Sequence, residues 1–535
     1  MTPVSILRRA HRDEDGQSLV IVLSLVLFLF LLGSALAVQA STALRASAAG
    51  DSEANALHAA DAGAELGIWW QRQGNAGNPP SITVNGLTVS TTVSSTTAAV
   101  SGAGWKQWGF SGTSLGASSE PGPAAASTRW SPLPTVSQGA TVASPSVADD
   151  GYVYVGGTNG LYAYKEDGTL AWSFLSAAQS PALGGFTGSP AIVTTGGGAK
   201  MIVAATDGTA TTASKVVGLT ENGAKTGASV TWSYSLGNGA GIGFVGGPKV
   251  NTAGTRAYLA ARNSTTYAFD TTSSGVIAPL WTAATGGAVT TAVALNTAQD
   301  RVYVATSTGI LRAYNATTGA QFWTRNVSAG DVLTAPIFAT VAARDHVYTA
   351  SGADNRLYAT RDNGGNGTAD WNVNLTANAF SAPAVLVSGG QTFLYVATDT
   401  GAIHKIEDTG NSRQIGWIHT PIASGIRSSL VLDSGNAIYA GNEAGTLMRV
   451  ADGGATASTT WTSALGLGAV RSGLAIGVDN DLYALTTGDR LLAVGPIPAM
   501  GTVTVTATAG PATVTTTYTS AGAGAPTLST WTTTN

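Results

Sequence analysis

Two hydrophobic patterns divide this chain. From Leu19 to Val38 the residues are overwhelmingly apolar, and no charge appears between Asp15 and Arg45. At about 1.5 Å per residue, that stretch makes about 30 Å of helix, the thickness of a bilayer core. From about residue 130 to 495 the apolar residues come in short runs with strand-type alternation, as in Val153-Tyr154-Val155. Gly and Asx-Gly turns such as Asp167-Gly168 and Asn222-Gly223 separate the runs and supply positive-φ positions. The pattern predicts a membrane-inserted helix followed by a β domain.

Arg8, Arg9 and Arg12 precede the apolar run, so its leader stays in the cytoplasm and everything after about residue 40 is exported. There is no proline from Val4 to Asn78, and Ala40–Trp70 is rich in Ala, Leu, Glu and Gln. A helix from Ser18 to about Trp70 follows, roughly 80 Å long. Its first half is apolar all round and its second half is mixed. That suits a helix that lies in lipid first and packs among identical helices later.

One repeat fills residues 130–495. It reads small residue and Pro, short apolar strand, turn, strand of the Tyr-Val-Ala type, Gly turn, strand, Asx or Thr-Gly turn, then Trp. Ser144–Phe174 and Ala292–Thr324 are clear copies. Others begin near Ser189-Pro190, Gly247-Pro248, Ala335-Pro336, Ala382-Pro383, Ser428 and Ser472, which makes eight. Trp130, Trp172, Trp232, Trp281, Trp323, Trp371, Trp417 and Trp461 mark the period, 42 to 60 residues apart. Four short strands at that period predict a β-propeller. The eighth unit, ending near Val494, has no Trp strand, whereas Thr128–Ser131 carries Trp130 ahead of the first unit. The early strand is therefore expected to complete blade eight and seal the ring.

The flanks alternate as well. Thr83-Val84-Asn85-Gly86-Leu87-Thr88-Val89 is a hairpin signal, and residues 501–520 read as strands. They are expected to build a small antiparallel sheet against the second half of the helix, with the propeller inserted into it. A Thr-rich linker on each side is the alternative. The expected fold is mainly β: an eight-bladed propeller with a long N-terminal transmembrane helix and small flanking β segments. The expected segments are a leader over 1–16, helix over 17–72, β or linker over 73–127, propeller over 128–495 and a Thr-rich β-like segment over 496–535.

Two family resemblances rest on these residues. The charged leader ending in Gly16, the apolar run and Ala59-Ala60-Asp61-Ala62-Gly63-Ala64-Glu65 resemble type IV pilins of the PilX-like minor pilin group. The resemblance implies cleavage after Gly16 by a prepilin peptidase, Gln17 as new N-terminus, and other pilin-like subunits as partners. Ile21 departs from the pattern, since most pilins place a Glu there. An uncleaved anchor through residues 19–38, or a secretory signal cut at Val38-Gln39-Ala40, are the other readings. The strand-Asp-x-x-Thr-Gly-x-x-x-Trp pattern, as in Tyr314 to Trp323, resembles the quinoprotein-like (PQQ-repeat) propellers. That family includes quinone-dependent dehydrogenases and non-enzymatic scaffolds of bacterial outer-membrane assembly. In this reading the eight Trp residues are structural and lock adjacent blades.

Composition narrows the chemistry. Net charge is −4, so nothing suggests a nucleic-acid partner. Cysteine is absent, which excludes disulfide staples, thiolate metal sites and the vicinal disulfide carried by the quinone dehydrogenases. Five scattered His residues give no zinc spacing. Asp362 to Asp370 alternates oxygen donors but lacks a closing Glu, so it reads as a turn, as does Asp479-Asn480-Asp481. No catalytic, cofactor or metal residue is assigned. The expected function is non-enzymatic: a cell-surface or pilus-associated minor pilin-like protein that displays a propeller to an unknown surface, carbohydrate or protein ligand. The alternatives are an envelope assembly scaffold and a membrane-tethered dehydrogenase needing quinone and calcium. Propellers bind through loops on one face and across the central channel.

Overall fold

A computed structural model describes residues 51–72, 78–95, 103–130, 133–139, 143–195, 198–495, 500–509, 512–520 and 527–534, together with Leu25, Val26, Leu29 and Leu32. The chain divides into two units: Met1–Ala98 with Pro498–Asn535, and Ala99–Ile497.

In the first unit a helix spans Asp51–Arg72. Its buried positions are Ala56, Ala59, Ala60, Gly63, Ala64 and Gly67, one face at helical spacing. All are small because the helix backbone lies directly on a sheet. A Cβ on Gly63 would collide with Val89 Cγ1 and come 3.0 Å from Ala507 Cβ. The Thr91 hydroxyl donates to the Gly63 carbonyl at 3.0 Å. The sheet has five antiparallel strands in the order Ile82–Val84, Leu87–Ser95, Met500–Ala509, Ala512–Ser520, Thr527–Thr534. Asn85 and Gly86 form the first hairpin turn at φ 53° and 81°. Leu87–Ser95 then pairs with Met500–Ala509, from Val89 opposite Ala509 to Ser95 opposite Val503. The two flanks thus make one sheet, and the second unit lies between them in sequence. Val89, Val505, Ala507, Ala509 and Val514 form the face buried under the helix.

The leader, Gly16, Gln17 and most of the apolar run lie outside the described residues. Leu25, Val26, Leu29 and Leu32 are helical. Among the described residues no helix is long and apolar enough to cross a membrane.

The second unit is a propeller of eight sheets. Blade one consists of Ser146–Val147, Val153–Gly157, Gly160–Tyr164 and Leu170–Leu175. Blades two to eight run over 191–238, 249–284, 294–326, 337–374, 384–419, 431–464 and 475–494. The second strands of the blades are almost wholly buried, as in Arg301–Ala305, and the third strands mostly so, as in Ile403–Asp408. Adjacent blades cover both of their faces, which is why these runs are apolar on both sides. Blade two gains a fifth strand, Gly275–Val276, which pairs parallel with Ala228–Asn238. It comes from the connector before the last strand of blade three, an excursion that the four-strand repeat does not reveal.

Blade eight has three strands of its own, Ala475–Ile476, Leu482–Leu485 and Leu491–Val494. The fourth comes from before blade one. Thr128 bridges Val494 and Thr135 bridges Arg490. Arg129 N–H donates to Ala493 O at 2.9 Å, and Leu491 N–H to Pro134 O at 3.1 Å. One apolar cluster joins blades seven, eight and one. Residues 103–127, expected to belong to a flanking segment, pack with this unit instead.

Asp61 sits half-buried on the helix beside Glu65. Burial, reinforced by the Glu65 charge, pushes its carboxyl up to about 6. The folded unit therefore keeps a proton that the unfolded chain releases. Its stabilisation is complete below the ordinary carboxylate range, about pH 4, and is lost as pH rises to about 6. Thermal unfolding followed by circular dichroism should show the helical signal lost at lower temperature at neutral pH than near pH 4.5. Asp61→Asn should flatten that difference.

Candidate functional site

Each inner strand of a propeller has one paired edge and one edge that faces the ring axis. The second residue of each inner strand presents its N–H there, and residues 105–116 accept from seven of them. Val147 N–H donates to Trp105 O (2.9 Å), Ile192 to Lys106 O (2.7 Å), Leu295 to Gly112 O (2.9 Å) and Phe338 to Thr113 O (3.1 Å). Val385 donates to Leu115 O (2.8 Å) and Leu432 to Gly116 O (2.9 Å). In blade three the Gln107 side chain takes the Val250 N–H at 2.9 Å. The segment circles the axis through blades one to seven in chain order. Blade eight meets it through apolar packing, since buried Trp105 shares a cluster with Ile476 and Tyr483.

Lys249, on the inner strand of blade three, is fully buried and grips the same segment. Its Nζ donates to Trp108 O and, at 2.7 Å, to Ser111 O. It lies 5.4 Å from the centroid of the Trp108 ring. Burial pulls its pKa well below the ordinary lysine range. Gly109 and Gly116 turn at φ 69° and 68°. The space left among Trp105, Trp108, Ser114, Pro383, Leu430 and Gly473 is about 10 Å³, at most one water. That space is too small for a planar quinone. Among the described residues no three His, Asp or Glu groups converge to hold a metal.

The Trp residues occupy the blade interfaces. On blade four, Tyr303 OH donates to Asp362 Oδ2 at 2.7 Å and Trp323 Nε1 to Asp362 Oδ1 at 3.0 Å. Asp362 ends the third strand of blade five, and Arg301 completes the clasp at 3.1 Å. Burial and the Asp362 charge hold the Tyr303 phenol protonated far above its ordinary range. Tyr154 and Trp172 meet Glu221 at 2.9 and 2.8 Å. Tyr395 and Trp417 meet Asp452 at 2.6 and 2.9 Å. Between blades five and six Tyr348 donates to Asp408 at 2.7 Å, His346 stands between Asp370 and Asp408 at 2.7 and 3.3 Å, and the Trp371 ring packs tilted against Tyr348.

Where no acid ends the strand, a carbonyl replaces it. Trp281 donates to Ala316 O, Trp130 to Glu166 O and Trp461 to Pro123 O, at 3.0, 2.9 and 3.1 Å. Three ring faces rest on glycine turns: a Cβ on Gly168, Gly319 or Gly367 would lie 2.5–2.7 Å from Trp130, Trp281 or Trp323. Trp232 differs. Asp270 turns its carboxylate to Thr272, and Trp232 stacks on Phe269.

A family model described as outer membrane protein assembly factor BamB matches residues 212–463, just under half of the chain. Among solved structures the chain is similar to Sqt1 from Saccharomyces cerevisiae. That likeness has 11% identity, a TM-score of 0.53 and coverage of 69% of this chain and 99% of that one. It is also similar to the quinohemoprotein alcohol dehydrogenase ADHIIG from Pseudomonas putida HK5, with 13% identity, a TM-score of 0.52 and 72% and 76% coverage. BamB from Moraxella catarrhalis aligns at 16% identity and a TM-score of 0.48, with 68% and 99% coverage. No curated protein matches the chain. The fold is a PQQ-repeat, BamB-like β-propeller.

The structure gathers none of the eight Trp residues into one pocket. It spreads them around the ring, one to an interface. Asp362 to Asp370 forms a turn in which Asn363 N–H donates to Asn366 O at 2.9 Å. Its two end acids serve different clasps. Asp479 and Asp481 hold Arg129 of the closing strand, which also meets Glu166 at 2.9 Å. Burial and the neighbouring Asp479 keep Asp481 above the ordinary carboxylate range although Arg129 opposes them. Sequence reasoning missed residues 104–118 and Lys249, because a Gly- and Ser-rich stretch without periodicity reads as a linker. Of the clasp acids, sequence reasoning named only Asp362 and Asp370, and read them as parts of a turn.

Asp362→Ala strips three donors of their buried acceptor and should cost about 3–5 kcal/mol. Trp323→Ala should cost about as much through the cavity it leaves. Both act on one clasp, so the double variant should lose clearly less than the sum. Denaturant unfolding of the full chain checks all three.

Proposed function

We propose that the chain is an exported, membrane-anchored display protein in which the helix and sheet form a pilin-like base and the propeller is the binding head. The observation that supports this most is the single sheet built from both flanks on the helix Asp51–Arg72, interrupted in sequence by the whole propeller. In this reading residues 19–38 sit in the inner membrane, a prepilin peptidase cuts after Gly16, and Gln17 begins the mature chain. The partners are other pilin-like subunits and a surface, carbohydrate or protein ligand, with no nucleic acid. Ile21 replaces a carboxylate that would be costly in lipid unless paired, and with it a register-setting contact. That points to a minor component, at a filament tip or in a priming complex. The head works by binding and not by catalysis, a reading supported by an axis that the chain itself fills.

A second reading, an envelope assembly scaffold, is favoured by the family match over 212–463.

Mass spectrometry of the exported chain should give Gln17 as first residue, and Gly16→Arg should leave the precursor uncut. A start at Ser41 or an intact Met1 would sink the pilin-like part. A deletion strain should lose adhesion or filament number with filament diameter unchanged; defective outer-membrane assembly would favour the scaffold. Dye-linked turnover after adding pyrroloquinoline quinone and calcium would overturn the non-enzymatic reading.

A further inference from the structure

The segment in the channel has the features of a bound peptide. It contributes carbonyls to the inner strands of six blades, a side-chain acceptor to a seventh and an apolar side chain to the eighth. Its entrance and exit are tied together. Ala103 N–H donates to Glu120 Oε1 at 2.9 Å, and Ser434 N–H to Glu120 O at 3.0 Å. Gly104 N–H donates to Asp149 at 2.8 Å, and Lys106 pairs with Asp149 at 2.6 Å. Asp149 and Asp433, the latter holding Gly122 N–H at 3.2 Å, lie in turns between the first and second strands of their blades. The segment therefore enters and leaves the ring on one face. After the exit the chain supplies the closing strand along Leu491–Val494.

We propose that residues 104–118 are an internal ligand of the ring: a fixed axle that fastens the propeller to the chain entering it and closes the axis to outside molecules. Thr128 lies opposite Val494 in an antiparallel pair. A pull applied straight to that pair would open it one hydrogen bond at a time. With the axle in place, a pull from the N-terminal side first meets the inner strands of seven blades and the Lys249 Nζ hydrogen bonds. An outside ligand must then be met on the blade faces. The fastening does not depend on the display reading, which the mature N-terminus tests separately.

Hydrogen exchange on the full chain gives the first test. The axle shields amides that would otherwise face a solvent-filled channel, so peptides carrying Val147, Ile192, Leu295, Phe338, Val385 and Leu432 should exchange as slowly as the second strands. Exchange at the rate of open turns would overturn the proposal. Lys249→Met keeps most of the length of the side chain and removes the amino group. It should speed exchange at the inner strands by about tenfold and leave Arg301–Ala305 unchanged; equal acceleration throughout the ring counts against a separate axle.

The second test cuts the chain. Protease sites are placed in Ala124–Ser127, where Ala124, Ala125 and Ser127 are exposed, and within 496–499, and both are cleaved. The N-terminal fragment, which carries the axle, should still elute with the ring fragment, and should part from it in the Lys249→Met variant. Separation in the unsubstituted chain, loss of the ring's fold on cutting, or co-elution in both proteins would each refute the axle.

Discussion

Unpaired backbone groups at strand edges are the constraint on which the ring depends. Each sheet of the propeller has an outer edge that water can satisfy and an inner edge that faces a narrow axis. Seven inner N–H groups at that axis would cost free energy if buried without acceptors. The chain meets them with its own carbonyls from residues 105–116 and the Gln107 side chain. The composition of the segment follows from this. A peptide that turns toward one blade after another needs glycine where φ is positive, as at Gly109 and Gly116, and small residues where strands press close, as at Gly104 against Val147. The bulk that remains is filled by Trp105 and Trp108.

The blade interfaces answer the same constraint with side chains. A buried carboxylate is costly alone, and Asp362 is held by Tyr303, Trp323 and Arg301 together. The clasp joins two blades because the Tyr and Trp come from one and the acid from the next. The Trp also covers the glycine turn that follows the acid, so one residue serves packing and polar contact at once. Where Asn315 or Lys165 takes the place of the acid, the carbonyl of the next residue takes the indole N–H, and the geometry survives without the charge. At blade eight, where the chain has no such turn, Pro123 O receives both Tyr439 and Trp461 from outside the repeat.

These two solutions differ in how far they can be read from sequence. The clasp repeats, so Trp172 to Trp461 announce it, and the spare Trp130 strand betrays ring closure by breaking the count. The flanking sheet was legible from period-two alternation at residues 83–89 and 501–520, and from the Asn85-Gly86 turn. The small residues around Gly63 were visible, but their reason, a helix backbone pressed onto Val89 and Ala507, needed the partner strands. The axle has no period and no apolar face of its own. Its partners are backbone groups on seven separate strands, and a backbone hydrogen bond leaves no mark on composition. The fifth strand of blade two escaped for a related reason, since Gly275–Val276 pairs through main chain alone.

Closure also sets an order of events. Arg129 meets Asp481 across 352 residues of sequence, and Ser144 meets Gly473 across 329. Neither contact can form until blade eight exists. The axle precedes all eight blades in the chain and waits for each inner strand in turn. Each of blades one to seven adds one more donor to it, so the segment gathers its partners gradually while the ring gains its closing strand last. Such long-range pairing is slow to form, because loop closure must come before any contact compensates for it. A segment already held by seven blades keeps the closing strand near blade eight, since only residues 119–127 separate the two. The axle therefore shortens the last search of the fold, and the contact that fills the axis is also the one that brings the ends of the ring together.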